Sequence, residues 1–307
     1  MELPNKMGLL TRKLGRTNLE VTALGMGGAG IGRSNVTDAE AISAIHKAID
    51  LGINYLDTAP LYGESERRVG LALQGGKRHQ LHLATKTGTH PKWKGDYSSQ
   101  GTRRSVENSL KLLKTDYLDI CLVHDPDDMD TVVSKEGAFD ELKRMREEGL
   151  IRYIGLGVRE HQFHRLAIQR NDVDVILTYL DYTLIQQTAT SLIKVATEKN
   201  VGVINGSPIA MGLLSGIKPS RTNTLTDHIK QAENEKAFQL WQLADDLGVK
   251  LLDVAIQFSI RQPMIGCTLT GAKNATEVEQ NYKSAITNLS DSVWQKFSDL
   301  IYTQPSN

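Results

Sequence analysis

Short apolar runs alternate with segments of helical period along most of the chain. Eight of these runs are typical of strands and cover residues 21–26, 53–57, 81–86, 117–124, 151–157, 173–179, 201–207 and 265–271. Because most are apolar at successive positions, we expect strands buried on both faces, as in a parallel sheet. Residues 11–21, ahead of the first strand, predict a short hairpin.

The segments between the strands predict helices. Thr37 and Glu40 form a capping-box pattern, in which each side chain satisfies a free amide at the helix start, so the first helix should run to about Leu51. Further helices are predicted at 98–113, 130–148, 161–170, 188–200, 251–261 and 276–285, with extra helices at 233–247 and 291–301.

The order of these elements predicts the fold class. Eight strand and helix units follow one another without a Pro/Ser-rich linker, which favours a closed (β/α)8 TIM barrel over two doubly wound domains. We therefore expect a single domain over residues 1–307, with an N-terminal hairpin and extra C-terminal helices. In such barrels the catalytic groups project from the C-terminal ends of the strands.

Composition narrows the function classes. The 307 residues carry 36 basic and 36 acidic side chains, so the formal net charge is zero and a dedicated nucleic-acid surface is not expected. Cys121 and Cys267 lie in apolar runs and predict small core residues in a reducing compartment. No segment has the apolar length of a membrane span or a signal peptide, which predicts a soluble, cytoplasmic protein.

Three successive predicted strands end in residues that can carry acid–base chemistry. They are Asp57, Lys86 and His124, and Tyr62 lies in the loop after Asp57. A phenol has a pKa of about 10, so Tyr62 needs a neighbouring cation to exchange protons near neutrality. Lys86 would supply that cation, Asp57 would hold Lys86, and His124 would bond the substrate oxygen. The set suits carbonyl–alcohol interconversion without a metal.

The motifs around these residues resemble the aldo-keto reductase superfamily. The similarity covers about residues 11–286, through RKLGRTNLEVTALGMGG, INYLDTAPLYGESERRVG, LATKTG, LDICLVHDPD, SPIAMGLLSG and GAKNATEVEQNY. It implies a (β/α)8 barrel, a catalytic tetrad of Asp57, Tyr62, Lys86 and His124, and hydride transfer involving NAD(P). LVHDPDDMDTVV, NGSPIAMGLLSG and LGVREHQ are most similar to the branch containing L-galactose, L-fucose and D-threo-aldose 1-dehydrogenases.

The resemblance also implies a cofactor site on the last two strands. It places Ser207, Pro208, Gly212, Leu213 and Gly216 along the pyrophosphate, and Gly271, Ala272, Lys273, Asn274, Glu277 and Asn281 at the adenosine end. Many NADPH-specific members have an arginine where this chain has Glu277. A carboxylate there would repel a 2′-phosphate, which predicts a preference for NAD, although Lys273 could pair with that phosphate.

The chain departs from the family where nicotinamide is usually held. The Ser-Asn pair that binds the carboxamide falls on Gly157 and Val158, the strand-six Gln falls near Tyr179, and the stacking aromatic falls on Gly206. The contacts of the nicotinamide ring are therefore left open by the sequence.

Two residues beyond the tetrad are candidates for substrate contact. Trp93, in the polar loop after Lys86, would either cover the substrate or anchor the loop. Asp125 would either bond a sugar hydroxyl or serve the turn around Pro126.

Two other patterns are interpreted as structural. Residues 25–30 match G-x-G-x-x-G, but a helix is not predicted directly after them, so we expect these glycines to let the first loop pass near the substrate rather than to form a dinucleotide loop. Two H-x-x-H pairs, at 79–82 and 161–164, lack further ligands nearby in sequence, and no metal site is expected.

The leading hypothesis is an NAD(P)-dependent dehydrogenase that acts on the C1 of an aldose and forms a lactone, with a small sugar or aldehyde as its partner. A general NADPH-dependent aldehyde or ketone reductase is the first alternative. The second belongs to another class, the cofactor-binding regulatory subunits of potassium channels, which the resemblance also includes.

Overall fold

Eight parallel strands form a closed barrel in the computed structural model, which describes residues 8–219 and 231–302. The barrel strands are β3 (Leu24–Gly27), β4 (Tyr55–Asp57), β5 (His82–Thr87), β6 (Leu118–His124), β7 (Ile151–Gly157), β8 (Val175–Tyr179), β9 (Gly202–Gly206) and β10 (Cys267–Gly271). Each pairs with its chain neighbours, and β10 closes the barrel against β3. The predicted (β/α)8 fold is confirmed.

Helices surround this barrel. They are α1 (Asp38–Asp50), α2 (Ser65–Ala72), α3 (Ser99–Leu113), α4 (Asp130–Val133), α5 (Ala138–Glu147), α6 (His161–Gln169), α7 (Thr190–Glu198), α8 (Gln231–Asp246), α9 (Leu251–Ile260), α10 (Ala275–Ile286) and α11 (Asp291–Tyr302). Most of their apolar faces pack on the outward side chains of the strands in one buried cluster, whereas α8 and α11 belong to a second cluster with part of α9. Within the two described ranges, no helix combines the length and apolarity that crossing a bilayer requires.

The predicted N-terminal hairpin closes the bottom of the barrel. Strand β1 (Thr11–Lys13) pairs antiparallel with β2 (Glu20–Thr22). The buried side chains Leu14 and Val21 join the cluster inside the barrel, so the hairpin plugs the N-terminal ends of the strands. Arg12 ties the hairpin to the end of α9 by donating to the carbonyls of Ile260 and Ile265, both at 2.7 Å.

The period of two along a strand determines which residues reach the mouth of the barrel. Tyr55, Ala84 and Leu122 point into the interior cluster. The residues two positions later, on the same face and nearer the C-terminal end, are Asp57, Lys86 and His124. Alternation within three adjacent strands therefore brings these three side chains to one rim.

Two predicted elements differ from the structure. The predicted strand at 21–26 is two strands, because Val21 and Thr22 pair in the hairpin while Leu24–Gly27 enters the barrel. The predicted helix at 130–148 is interrupted between α4 and α5. The interruption has a tertiary cause: Glu136 has a φ of 66°, and its carbonyl accepts a 2.7 Å bond from the amide of Ser99.

Helix α2 was not predicted, because its sequence is short and polar and its N-terminus has no side-chain cap. Long-range polar contacts hold it instead. Buried Arg68 donates to the carbonyls of Ile31 and Val36 and pairs with Asp38. By contrast, the predicted capping box at the start of α1 is confirmed, with both Thr37–Glu40 contacts present.

Candidate active site

Lys86 and Asp57 form a buried ion pair at the rim. The ammonium donates to Asp57 Oδ1 and, at 2.8 Å, to the carbonyl oxygen of Thr58. Burial alone would lower the pKa of Lys86, but the adjacent Asp57 and Tyr62 outweigh it and leave that pKa raised. Burial raises the pKa of Asp57, and Lys86 opposes that rise. Lys86 is therefore held as a cation beneath the site.

Tyr62 lies over this pair. The Lys86 Nζ is 4.7 Å from the centre of the Tyr62 ring. The first barrel loop fixes the loop that carries Tyr62. The backbone amide of Glu64 donates to the Gly32 carbonyl at 3.1 Å, and a Cβ at Gly32 would lie only 1.7 Å from the Tyr62 carbonyl oxygen. Burial raises the pKa of the Tyr62 phenol, and the opposing effect of Lys86 is smaller. Lys86 therefore lowers this pKa as expected, but burial outweighs it, so the pKa lies above its ordinary value and Tyr62 is a neutral phenol at pH 7 in the protein alone.

His124 faces Tyr62 edge to face, with ring centroids 5.9 Å apart and an interplanar angle of 90°. Its Nδ1 lies 2.7 Å from Thr89 Oγ1, and its Nε2 lies 3.4 Å from Asp125 Oδ2. Burial, followed by the charge of Lys86, holds the pKa of His124 well below its ordinary value. The imidazole is therefore neutral and can carry only one ring proton.

In the described part of the chain, four of the other five barrel strands bring no side chain to the rim at their last residue, and β8 brings that of Tyr179. Strands β3, β7, β9 and β10 end in Gly27, Gly157, Gly206 and Gly271, respectively. A Cβ added to Gly271 would meet nothing within 4 Å. Acid–base groups thus lie at the ends of β4, β5 and β6. The glycine strand ends, here called the cradle, would admit a ring that lies close to the backbone.

The loop after β9 continues this cradle along the surface. Its backbone turns repeatedly through left-handed conformations, with φ of 54° at Ser207, 99° at Gly212 and 92° at Gly216. Pro208 and Leu213 are buried beneath it. The Trp241 indole donates to the Gly216 carbonyl at 3.2 Å and fixes its far end. In this turned loop Gly212 and Gly216 carry no side chain, so its backbone could approach the phosphate chain of a dinucleotide.

The turn after β10 and the start of α10 lie beside that loop. Asn274 caps the helix by accepting from the amide of Glu277 at 2.9 Å, and Asn281 donates to the Gly271 carbonyl at 3.2 Å. Ala272 is buried in the turn. The Lys273 ammonium lies 3.4 Å from Glu277 Oε1 and is partly exposed. A helix start favours an anionic group, but here a further anion would meet the Glu277 carboxylate together with the cation of Lys273.

A cleft of about 640 Å³ opens beside His124 and was not predicted from the sequence. On one wall the Tyr179 hydroxyl donates to Asp125 Oδ1 at 3.1 Å. On the other, Arg159 pairs with buried Asp181 at 2.9 Å, and His161 lies 3.2 Å from the same carboxylate. These groups come from the ends of three neighbouring strands, β6, β7 and β8, and from the loops that follow them.

Trp93 is enclosed on both faces. His90 stacks on it at 3.8 Å between ring centroids, and the Arg104 guanidinium lies 4.4 Å from its centroid. Both faces that could stack on a sugar are therefore occupied, which favours the loop-anchor interpretation over substrate cover.

The glycine motif at residues 25–30 serves packing. A Cβ at Gly25 would lie 2.6 Å from Cys267 Sγ, and one at Gly30 would lie 2.4 Å from the Ala272 carbonyl oxygen. The following helix begins only at Asp38. Gly30 thus lets the first loop lie against the turn after β10.

His164, the second histidine of the pair on α6, has a structural role. His164 Nε2 is 2.8 Å from the Val158 carbonyl oxygen, and burial lowers its pKa to about 4. Across the described part of the chain, three or more potential ligand side chains nowhere group around a common metal position.

Comparison with known proteins identifies the family. The family model described as "Aldo/keto reductase family" matches residues 23–301, from the first barrel strand to the last helix. The chain belongs to the aldo/keto reductase family. It is accordingly an NAD(P)-dependent oxidoreductase.

Its relatives include sugar dehydrogenases. The chain is 32% identical to L-galactose dehydrogenase from Arabidopsis thaliana over 91% of its own length and 88% of the relative's. It is 27% identical to D-threo-aldose 1-dehydrogenase from a Pseudomonas species, over 92% and 95% of the two chains. The structure of an aldo-keto reductase from Bacillus halodurans in its holo form superposes with a TM-score of 0.81 at 24% identity, covering 96% and 97%, and supports the fold.

Proposed function

We propose that the protein is an NAD(P)-dependent aldose 1-dehydrogenase that oxidises the C1 hydroxyl of a cyclic aldose to a lactone. The observation that carries the proposal is the convergence of Tyr62, Lys86, Asp57 and His124 at the barrel rim, beside the cradle. The identity to L-galactose dehydrogenase supports an aldose as the substrate. When bound, the nicotinamide supplies C4 as the acceptor of the hydride that leaves the sugar C1.

The four side chains divide the remaining work. Tyr62, as phenolate, takes the proton of the C1 hydroxyl while His124 donates a hydrogen bond to the same oxygen. Lys86 stabilises the phenolate, and Asp57 holds Lys86 charged and in place. In the reverse direction Tyr62 acts as a general acid and protonates the oxygen of an aldehyde.

The cofactor is held by the cradle, the loop after β9 and the start of α10. Glu277 favours NAD, because its carboxylate would repel a 2′-phosphate and its Oε1 already engages Lys273. Initial rates with both cofactors test this part. A higher kcat/KM for NAD supports it, and a clear preference for NADP contradicts it.

A panel of aldoses and simple aldehydes, each assayed in both directions, tests the activity. Lactone formation from an aldose supports the proposal. Reduction of aldehydes with NADPH, without sugar oxidation, would replace it by a general reductase, which the neutral phenol of Tyr62 also suits. Cofactor binding without turnover would indicate a regulatory role.

Removal of the Tyr62 hydroxyl tests the mechanism. Tyr62→Phe should lower kcat by about 100- to 10,000-fold, as expected for loss of a general acid–base, while cofactor affinity is kept. Tyr153→Phe is the matched control, since the Tyr153 hydroxyl accepts from the Asn18 amide at the opposite end of the barrel. A Tyr62→Phe enzyme with wild-type turnover would remove Tyr62 from this role.

A further inference from the structure

The buried hydroxyl of Thr89 contacts the side of His124 that faces away from the substrate position. Its Oγ1 lies 2.7 Å from His124 Nδ1, and only 1% of Thr89 is exposed. Thr89 follows β5 in the turn that begins at Gly88, and it is outside the tetrad.

The charges around His124 determine which ring nitrogen carries the single proton of the neutral imidazole. Asp125 Oδ2 lies 3.4 Å from Nε2. A lone pair on Nε2 would face this carboxylate and be repelled, whereas an Nε2–H would be attracted. The proton therefore belongs on Nε2. Nδ1 then carries the lone pair, which requires a donor, and the Thr89 hydroxyl is the donor in contact with it.

The side chain of Tyr97 fixes the turn that carries Thr89 relative to the end of the strand that carries His124. Gly88 has a φ of 94°, and a Cβ there would lie 2.0 Å from Tyr97 Cε1, so the turn leading to Thr89 packs directly on the Tyr97 ring. The hydroxyl of the same tyrosine donates to the carbonyl of His124 at 2.7 Å and to that of Asp125 at 3.0 Å. Tyr97 thus ties the Thr89 turn to the end of β6.

We propose that Thr89 is the positioning residue for His124, donating to Nδ1 and so holding the tautomer whose Nε2–H meets the substrate oxygen. The inference rests on the proposed function, because it refines how that active site handles its substrate. A neutral histidine with the opposite tautomer presents a lone pair to that oxygen. It could then neither polarise a carbonyl nor stabilise the negative charge that develops as an alcohol loses its proton.

Three variants test the proposal. Thr89→Val keeps the shape and removes the hydroxyl, and Thr89→Ser keeps the hydroxyl. Thr87→Val is the matched control: Thr87 is also buried, two residues earlier, and its hydroxyl has no partner among the described residues. The measurements are kcat and KM with an accepted aldose or aldehyde, and the ¹⁵N chemical shifts of the His124 ring, assigned by comparison with His124→Asn.

Wild-type His124 should be protonated at Nε2. Thr89→Val should show a mixture of tautomers and a loss in kcat on the order of 10- to 100-fold, with a smaller change in KM. Thr89→Ser should restore both the shifts and kcat, and Thr87→Val should match wild type. A merely structural role for Thr89 would not move the ring shifts of His124.

Several results overturn the proposal. They are a wild-type His124 protonated at Nδ1, a Thr89→Val protein with the wild-type tautomer or wild-type kcat, and an equal loss in Thr87→Val. If Thr89→Val does not fold, the proposal is still tested by the ¹⁵N shifts of His124 in the wild-type protein and by the shifts and kcat of Thr89→Ser. Failure of the proposed function appears differently, as a wild-type protein that turns over no substrate while its ring shifts still report the tautomer.

Discussion

The protonation state of Tyr62 determines which direction of the reaction the site is prepared for. Tyr62 faces the cation of Lys86 and the carboxylates of Asp57 and Asp125, and its own burial has the largest effect. The net result is a pKa above the ordinary value for a phenol. The protein alone therefore presents a proton donor, which suits carbonyl reduction, and sugar oxidation needs the less populated phenolate.

The pH dependence of the two directions should differ accordingly. Oxidation requires phenolate, which grows with pH below the pKa of Tyr62, so log kcat for oxidation should rise from neutrality toward pH ~10. Reduction requires the phenol, so its kcat should stay level over the same range. Initial rates in both directions across this range measure the difference. Oxidation that is independent of pH while chemistry limits the rate would contradict the assignment.

The Lys86–Asp57 pair gives a second prediction at the level of single residues. Lys86→Met leaves a buried carboxylate without its cation, which should cost about 3–5 kcal/mol of unfolding free energy at pH 7. Without Lys86 the pKa of Asp57 in the folded state rises further. The folded state is then destabilised while Asp57 is ionised, and this penalty disappears when Asp57 is protonated. The deficit should therefore shrink as pH falls toward ~4.

Urea unfolding of the wild-type protein and three variants measures this loss of stability. The double variant Asp57→Asn with Lys86→Met removes both charges and should recover most of the stability, while activity stays lost in both. Lys143→Met breaks a partly exposed pair with Asp172 and should cost less than about 1 kcal/mol. A Lys86→Met protein as stable as wild type at neutral pH would show that Asp57 does not depend on its partner.

At the scale of elements, the hairpin and the active site lie at opposite ends of the same barrel. Leu14 is fully buried in the interior cluster between the hairpin and the strands. Leu14→Ala should cost about 2–5 kcal/mol through lost burial and a cavity. Because the rim does not contact Leu14, kcat and KM should stay near wild type below the melting temperature.

Thermal unfolding and steady-state kinetics of the same preparation check this separation. Leu10→Ala is the control, because Leu10 is 59% exposed and should be nearly neutral. A large rise in KM for Leu14→Ala would mean that the bottom of the barrel and the rim are coupled.

The elements also show how far sequence reasoning reaches. Strand β7 runs over 151–157 as predicted, because its apolar run is bounded by polar turns. The break before α5 and the existence of α2 could not be predicted, since Glu136 bonds to Ser99 and Arg68 bonds to Ile31, contacts between residues far apart in sequence. A local sequence pattern therefore predicts a helix or a strand when local interactions determine where that element begins and ends.

The same distinction holds for the whole molecule. The convergence of Asp57, Lys86 and His124 could be predicted, because these residues end three successive strands of a predicted parallel barrel. The Tyr179–Asp125 contact and the Arg159–Asp181 pair could not be predicted, because they depend on the conformations of the loops after β6, β7 and β8, which sequence spacing does not give. Thr89 was missed because a hydroxyl after a strand has no sequence signature until its distance to His124 is known.

Cofactor binding should raise the melting temperature of the whole barrel. The loop after β9 and the start of α10 follow the last two barrel strands, and β10 closes the sheet against β3, so a dinucleotide bound there stabilises the folded state relative to the unfolded chain. A ligand at one hundred times its Kd contributes about 2.7 kcal/mol, which corresponds to a rise in Tm of about 5 °C.

NAD should give a larger rise in Tm than NADP at equal concentration. Glu277→Gln should narrow that difference, because it removes the charge but keeps an oxygen to accept from the Lys273 amide. Glu279→Gln, on the same helix and paired with Lys283, should leave the difference unchanged. Equal shifts with both cofactors in the wild-type protein would contradict a role for Glu277 in cofactor choice.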